Sequence, residues 1–322
     1  MIHVEPKDLT VRQIFGYLQG GIAPRPIALV STLSAGGLRN LSPFSFFNAF
    51  GGNPPIVAFS PSRRQRDGSL KDTYTNLMAT KECVIQAVTY DMVQQVSLAS
   101  TEYPSDVDEF LKSGLTPVPS DIVSPPRVAE SPFQMECRLR QMIPLGESNG
   151  SGNLAICEVV KFHIADTIFK SGTIDPDSID LVGRNSADYY TRARGTAIFS
   201  VTKPIETIGI GYDQLPEFIR QSTVLTANNL GQLGNSERIP DRAEAVQYIA
   251  AFTTLESNDD RFAFLEQSGQ YTDVLRMALY FQSHHDPNSL AYFERAAKCA
   301  LDRNDVEFAW KTLLYAESLS DH

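Results

Sequence analysis

The feature that most limits what this chain can fold into is where its turn-formers lie. Of 20 Gly and 19 Pro, only Gly269 and Pro287 fall beyond residue 240. Both residue types weaken helix interiors and mark turns, so their placement predicts a turn-rich, mainly β body followed by a helical tail. A chain of 322 residues has room for two domains. Strand candidates recur through the body. Residues 26–33 (PIALVSTL) are apolar and lead to Gly36-Gly37, a hairpin signal, with 38–41 returning. Residues 55–60 and 82–88 are short apolar runs, 135–142 alternate apolar and polar, and 155–164 (AICEVVKFHI) form the longest candidate. Six or so such strands on short turns predict a barrel or sandwich.

Helices are predicted over 72–79, over 91–100 behind a capping Asp91, and from 213–217, where Pro216 lies in the first turn. Beyond residue 241 the apolar positions Ala243, Val246, Ile249, Ala250 and Phe252 follow helical spacing. Asp286-Pro287-Asn288 interrupts it, and helices follow over 289–302 and 305–319, turning at Asp302-Arg303-Asn304. The pair predicts an antiparallel helical hairpin, with Ala291, Ala296, Ala297 and Ala300 allowing close approach. It resembles the last unit of an α-solenoid, but one hairpin does not make an array.

Composition excludes several classes. The formal net charge of −10 disfavours polyanions as partners, so no nucleic-acid surface is expected. The longest aliphatic run, Ile27-Ala28-Leu29-Val30, is far short of the ~20 residues a bilayer demands. The opening MIHVEPKDLT has no basic and apolar leader pattern. Cys83, Cys137, Cys157 and Cys299 lie at least 20 residues apart, which removes CxxC and zinc-ribbon spacing. Three of them sit in apolar, strand-like segments and read as small buried hydrophobes; a reducing, cytoplasmic setting and no metal site are expected.

Two stretches carry chemistry. Residues 60–73 (SPSRRQRDGSLKDT) gather Arg63, Arg64, Arg66 and Lys71 with the hydroxyls of Ser60, Ser62, Ser69 and Thr73, between a strand and a helix N-terminus. Cations, hydroxyls and a helix start suit a phosphate dianion. The same composition also fits a solvated basic loop. Walker A spacing is absent, and no aromatics interleave the cations as a nucleic-acid site requires. Residues 40–50 (NLSPFSFFNAF), followed by GGNPP, alternate aromatic and small polar residues. They read either as a strand edge facing a flat heteroaromatic ring or as an ordinary aromatic core strand.

Lesser features resolve into plain roles. His163 either faces a cofactor cavity or is a hydrogen-bonded strand residue, and His284-His285 reads as a helix C-terminal cap. Residues 175–180 (DPDSID) lack the Gly and Glu of a calcium loop, with Ser186 at the twelfth position. Gly209-Ile210-Gly211 has no third Gly at Gln214 and is no dinucleotide fingerprint.

Taken in order, GIAPRPIALVST (21–32), NLSPFSFFNAFGGNPPIVAFS (40–60), KDTYTN (71–76), LVGR (181–184) with Tyr189-Tyr190, IGYDQLP (210–216) and LTANNLG (225–231) resemble the flavin reductase-like FMN-binding split-barrel family, most closely its flavoredoxin-type branch. The resemblance covers residues 20 to about 240 and has no counterpart for the tail. It implies a mainly β (α+β) fold: a six-stranded antiparallel split barrel over 1–205, a helical segment at 206–240 packing on it, and a helical extension over 241–322. It further implies a homodimer with one FMN per subunit near the interface. The ring-binding edge would be Asn40, Ser42, Ser45, Phe46, Phe47 and Asn48. Ser60, Arg66, Lys71 and Thr73 would hold the phosphate, and Arg25, Arg184 and Tyr189 would line the rim. Three arginines leave open which one reaches the phosphate.

The implied activity takes a hydride from NADH or NADPH through FMN to a flavin, a protein or a small acceptor. FMN brings the redox chemistry, so no side-chain acid or base is obligatory. A flavoredoxin-like carrier without tight nicotinamide binding is the alternative. A third reading is a barrel without flavin that serves protein interaction through its helical tail.

Overall fold

The computed structural model describes every residue except 202–207, 257, 321 and 322. It divides into two units, Met1–Ser200 and Val201–His322. In the first, strands β1 (Ala28–Leu33), β2 (Arg39–Phe44), β3 (Phe47–Gly52), β4 (Pro55–Phe59) and β5 (Glu82–Ala87) are followed by a short ribbon, β6 (Pro117–Val118) with β7 (Arg127–Val128), and by the long β8 (Phe133–Pro144) and β9 (Asn153–Ile164). Seven of them form one antiparallel sheet in the order β2-β1-β5-β8-β9-β4-β3.

That order forces the sheet to curl. Its edge strands β2 and β3 are separated in sequence only by Ser45 and Phe46. Laid flat, seven strands would hold their edges about 29 Å apart, whereas two linking residues span roughly 10 Å. The edges therefore meet at the Ser45–Phe46 corner without pairing, which makes a split barrel.

Packing follows the alternation of side chains along the strands. Ala28, Val30, Phe44, Phe59, Cys83, Ile85, Cys137 and Cys157 point inward with Leu77 of helix α2. Ile27, Leu29 and Leu41 point outward, under Val88, Met92, Val96 and Phe110. Both faces of β1 are covered, which is why its sequence shows no polar alternation. All four cysteines are buried and free. Helices α1 (Val11–Gly21), α2 (Asp72–Thr80), α3 (Val93–Leu98), α4 (Glu109–Ser113) and α5 (Pro176–Ile179) surround the sheet.

The mainly β fold with a helical C-terminal region is as expected, with three differences. The sheet has seven strands, not six. The aromatic stretch expected as one edge is two strands, β2 and β3, turning at Ser45–Phe46. Helix α1 was not anticipated, although Thr10 and Gln13 form a capping box at its start.

The second unit holds α6 (Glu217–Arg220), α7 (Ala227–Gly234), α8 (Arg242–Ile249), α9 (Asp259–Ser268), α10 (Tyr271–Ser283), α11 (Ser289–Leu301) and α12 (Val306–Ser320). The last two are the predicted hairpin, and α12 also packs against α8. The expected boundary at 205/206 lies outside the described residues, and no boundary falls at 240. Leu215, Ile219, Leu225 and Leu233 share one core with Phe262, Phe293 and Trp310, so 208–240 belongs to the helical unit. Charge divides unevenly as well. Residues 201–322 carry 10 Lys+Arg against 18 Asp+Glu, net −8, and residues 1–200 carry 18 against 20, net −2.

Candidate functional site

A narrow cleft joins the two stretches that the sequence singles out. Asn40 and Ser42 of β2 form one wall, Arg64, Lys71 and Thr73 another, and the 99–103 segment closes it. The basic turn leaves the sheet at the corner, where the Ser60 amide donates to the Phe46 carbonyl at 2.9 Å. It ends at Lys71, the N-cap of α2, beside Asn40 and Ser42.

Lys71 shares this cleft with Arg64 and with the carboxylates of Asp72, Glu102 and Glu109. Its ammonium makes no hydrogen bond or ion pair among the described residues, and burial together with the neighbouring Arg64 pushes its pKa down. No side chain caps α2, so its first amides are left for another acceptor. Arg64 is held in place by Leu70 O (2.5 Å), Ser69 Oγ (3.2 Å) and Asp72 Oδ2 (3.2 Å). Arg63 donates to Gly68 O at 3.0 Å, and its Nε is buried without a partner. Arg63 is not part of the cleft wall, but the two clustered cations Arg64 and Lys71 and the open helix start fit a phosphate dianion, as FMN would bring.

Arg66, the arginine first assigned to the phosphate, points away. Its side chain is 79% exposed and pairs with Asp67. The turn explains this. Asp67 accepts from the Ser69 amide (2.9 Å) and hydroxyl (2.6 Å), and Gly68 sits at φ +72°. A Cβ on Gly68 would also lie 2.5 Å from Asn149 Oδ1. The tight turn swings Arg66 out and leaves Arg64 at the cleft.

A buried polar network underlies the floor. Asn40 Oδ1 accepts from the hydroxyls of Thr73 (2.8 Å) and Thr32 (3.2 Å), and Asn40 Nδ2 donates to Glu109 at 3.1 Å. The other Glu109 oxygen accepts from the Leu41 amide at 3.1 Å. Burial raises the Glu109 pKa. Thr73, assigned to the phosphate from sequence, thus spends its proton on Asn40. Neither Asn40 nor Glu109 moves freely, so the β2 end is fixed in place.

The corner has its own support. Arg25 is buried and donates to Gln19 O (2.5 Å), Ile22 O (3.0 Å) and Asn185 O (3.0 Å), and through Nε to Ser45 Oγ (3.3 Å). It therefore acts as a clasp on α1 and the corner. Phe46 lies between Phe15 (6.0 Å between centroids) and the Arg25 guanidinium (5.8 Å), and Phe47 packs on the barrel interior. Asn48 is exposed and bonds the Ala49 amide. Ser60 Oγ accepts from the Asn153 amide at 3.2 Å. Arg184 lies over Tyr190 at 4.5 Å, and Tyr189 is 71% exposed. The cleft thus gathers Asn40, Ser42, Lys71 and Thr73; Ser45, Phe46, Phe47 and Ser60 sit at the adjoining corner. The sequence leaves open which arginine turns inward, because spacing cannot decide it, and Arg64 is the one at the cleft.

His163 is a hydrogen-bonded strand residue, 2.6 Å from Glu136. Glu136 is wholly buried and also accepts from the amides of Asp121, Ile122 and Val123. Burial works to raise its pKa, but those four donors outweigh it and hold the value to about 2.

Comparison with known proteins agrees with this architecture. Residues 21–177 match the flavin reductase like domain. An uncharacterized protein of Halalkalibacterium halodurans is 35% identical over 203 residues, covering 62% of this chain and 96% of that protein. One from Aquifex aeolicus is 34% identical over 183 residues, 56% of this chain and 91% of that protein. Among solved structures, nitrilotriacetate monooxygenase component B from Bacillus cereus superposes with a TM-score of 0.59 at 30% identity, over 62% of this chain and 98% of that one. The 2-nitrobenzoate 2-nitroreductase of Pseudomonas fluorescens shares the fold, with a TM-score of 0.57 at 24% identity over 65% of this chain and 100% of that one. The chain belongs to the flavin reductase-like family.

Proposed function

We propose that this protein is an FMN-dependent oxidoreductase that accepts a hydride from NADH or NADPH and passes electrons to a flavin, a protein or a small acceptor. The observation that carries this is the cleft that joins Lys71, which makes no ion pair among the described residues, and Arg64 to the β2 edge in a flavin reductase-like barrel. Lys71, Arg64 and the start of α2 hold the phosphate. Asn40, fixed by Thr73, Thr32 and Glu109, sets the β2 edge along which the ring lies. Ser45 Oγ accepts from Arg25, which leaves its own proton for an acceptor on the ring. Phe46 and Phe15 keep water from that corner. When bound, FMN supplies the hydride chemistry at its ring.

We further propose a homodimer. The edge strand β3 is exposed beyond Phe47, Phe50 among the most, and α1 has no buried residue. A second copy covers such surfaces, and sedimentation of the full chain checks this. Among the described residues no helix is long and apolar enough to cross a membrane. We place the protein in the cytoplasm, where its four free thiols persist.

The helical unit's net charge of −8 favours a second reading, in which the acceptor is a protein docked there and the chain works as a flavoredoxin-like carrier. Stopped-flow mixing separates the two. Rapid bleaching of the bound flavin by NADH or NADPH supports the reductase, and bleaching only by a reduced protein supports the carrier. A purified protein that takes up no added FMN contradicts both.

A further inference from the structure

We infer that Asp121, Glu136 and His163, none of which lines the flavin cleft, form a binding site for a divalent cation of the zinc class. Among the described residues they are the one group of three or more metal-ligating side chains that converge, with one ligand atom of each lying within 4.8 Å of the other two. The fold brings them together in two steps. On the paired strands β8 and β9, Gln134 faces His163 and Glu136 faces Lys161, so Glu136 and His163 are diagonal neighbours on one face of the sheet. The loop between β6 and β7 then closes over that face, because the amides of Asp121, Ile122 and Val123 donate to the Glu136 carboxylate at 2.8, 2.6 and 2.9 Å. That clamp carries the Asp121 carboxylate to the same point. Sequence spacing shows no metal motif here, since Glu136 lies 15 residues from Asp121 and 27 from His163.

The donor set selects the ion. One imidazole with two carboxylates suits zinc(II), cobalt(II) or nickel(II), whereas copper(I) prefers sulfur and calcium or magnesium prefers oxygen alone. Glu136 is wholly buried, and Asp121 is half exposed, which leaves water as the remaining ligand. Around a tetrahedral zinc ion such donors lie about 3.3 Å apart, so His163 Nε2 and Glu136 Oε1, at 2.6 Å, part by less than an ångström. Glu136 Oε2 stays with Ile122 and Val123, and Oε1 stays with the Asp121 amide. Only the contact with His163 is replaced, and the three amides remain as the fixed support that a metal-bound carboxylate requires. Without an ion, one proton lies between His163 and Glu136, and the Lys161 ammonium holds Asp121 Oδ2 at 2.5 Å. These positive groups stand where the ion goes. On binding, the imidazole keeps a proton only at Nδ1, and Lys161 turns to solvent. The ion then ties the loop between β6 and β7 to the β8–β9 face.

The test uses the full-length protein, freed of metal with a chelator. Cobalt(II) is titrated by its visible absorption and zinc(II) by competition with a chromophoric chelator. Wild type is expected to bind a single ion per chain, with the intense visible bands of a tetrahedral cobalt site. His163→Gln and Asp121→Asn lie on a strand and on a loop, so one variant stands if the other misfolds. Each should lose about tenfold or more in affinity. Lys161→Met removes the competing cation and should tighten binding by about threefold or more. Wild type that shows no saturable binding of either ion overturns the site. So do His163→Gln and Asp121→Asn variants that bind as wild type does, and a Lys161→Met variant that binds no more tightly. None of these outcomes bears on the flavin reading, because the site shares no residue with the cleft.

Discussion

The two units bury different things. In the helical unit only Asn229 and Thr312 are buried polar side chains among the described residues, and its core is otherwise aliphatic and aromatic, around Phe262, Phe293 and Trp310. The barrel unit buries Arg25, Asn40, Thr73, Glu109 and Glu136, among others, each with hydrogen-bond partners. A buried polar group is tolerated only when it is satisfied, and a satisfied network fixes geometry better than apolar packing does. Of the barrel's buried polar groups, Asn40, Thr73 and Glu109 line the cleft, whereas the helical unit spends its interior on cohesion.

Removing the anchor of the apolar interior has the largest expected effect. Trp310 is buried and its Nε1 donates to Ser236 Oγ at 2.8 Å. Trp310→Ala should cost the helical unit about 3–5 kcal/mol in urea unfolding and leave flavin affinity alone. A parallel loss of flavin binding would mean that the units are not energetically separate. Trp310 is also the single tryptophan, so its fluorescence in wild type reports the helical unit.

Glu136 gives the matching break in the barrel. Glu136→Ala leaves three backbone amides without their acceptor and should cost about 3 kcal/mol, read by circular dichroism melts of the barrel. Its pH dependence follows from its lowered pKa. The carboxylate's contribution is complete above the ordinary glutamate value of 4.5 and is lost as pH falls from there toward about 2. Wild type should lose barrel stability across that range and Glu136→Gln much less. Equal acid sensitivity in the two would remove Glu136 from the account.

Within the site, Lys71→Ala should weaken FMN binding by about 1–3 kcal/mol, as expected for a charged hydrogen bond, with barrel melting unchanged. Because the Lys71 pKa lies below its ordinary 10.5, FMN affinity should fall as pH rises through the alkaline range, before free lysine would titrate. A flat profile would place the phosphate on Arg64 alone. The smallest effect is expected from removing residues 201–322, which should keep FMN affinity within about twofold. The Halalkalibacterium halodurans relative is matched nearly whole by 203 residues of this chain, about the length of the barrel unit.

Much of this was legible beforehand where periodicity was strong. The apolar runs at β1, β4 and β5 and the alternation in β8 became strands, and the last helical hairpin fell within a residue of its expected ends. The failures have physical causes. Pro43 and the absence of a turn signal at Ser45-Phe46 hid the corner. Pro43 is tolerated because β2 is a sheet edge, where a missing N–H costs little. Glycine and proline counts measured turns rather than packing, so the tail seemed to begin at 240, while Leu215 to Leu233 already serve the helical core. The cleft was readable as a concentration of cations, but the choice of Arg64 over Arg66 depends on the backbone at Asp67–Gly68. Glu109 and Arg25 hold the site through contacts distant in sequence, which no local pattern displays.

The central claim, that the flavin's charged end is gripped by Lys71 and Arg64, is tested most directly by titrating FMN and riboflavin into wild type and Lys71→Ala. FMN should bind wild type far more tightly than riboflavin, which lacks the phosphate, and the substitution should close most of that gap by weakening FMN alone. Equal binding of the two flavins to wild type, or a gap that the substitution does not change, would contradict it.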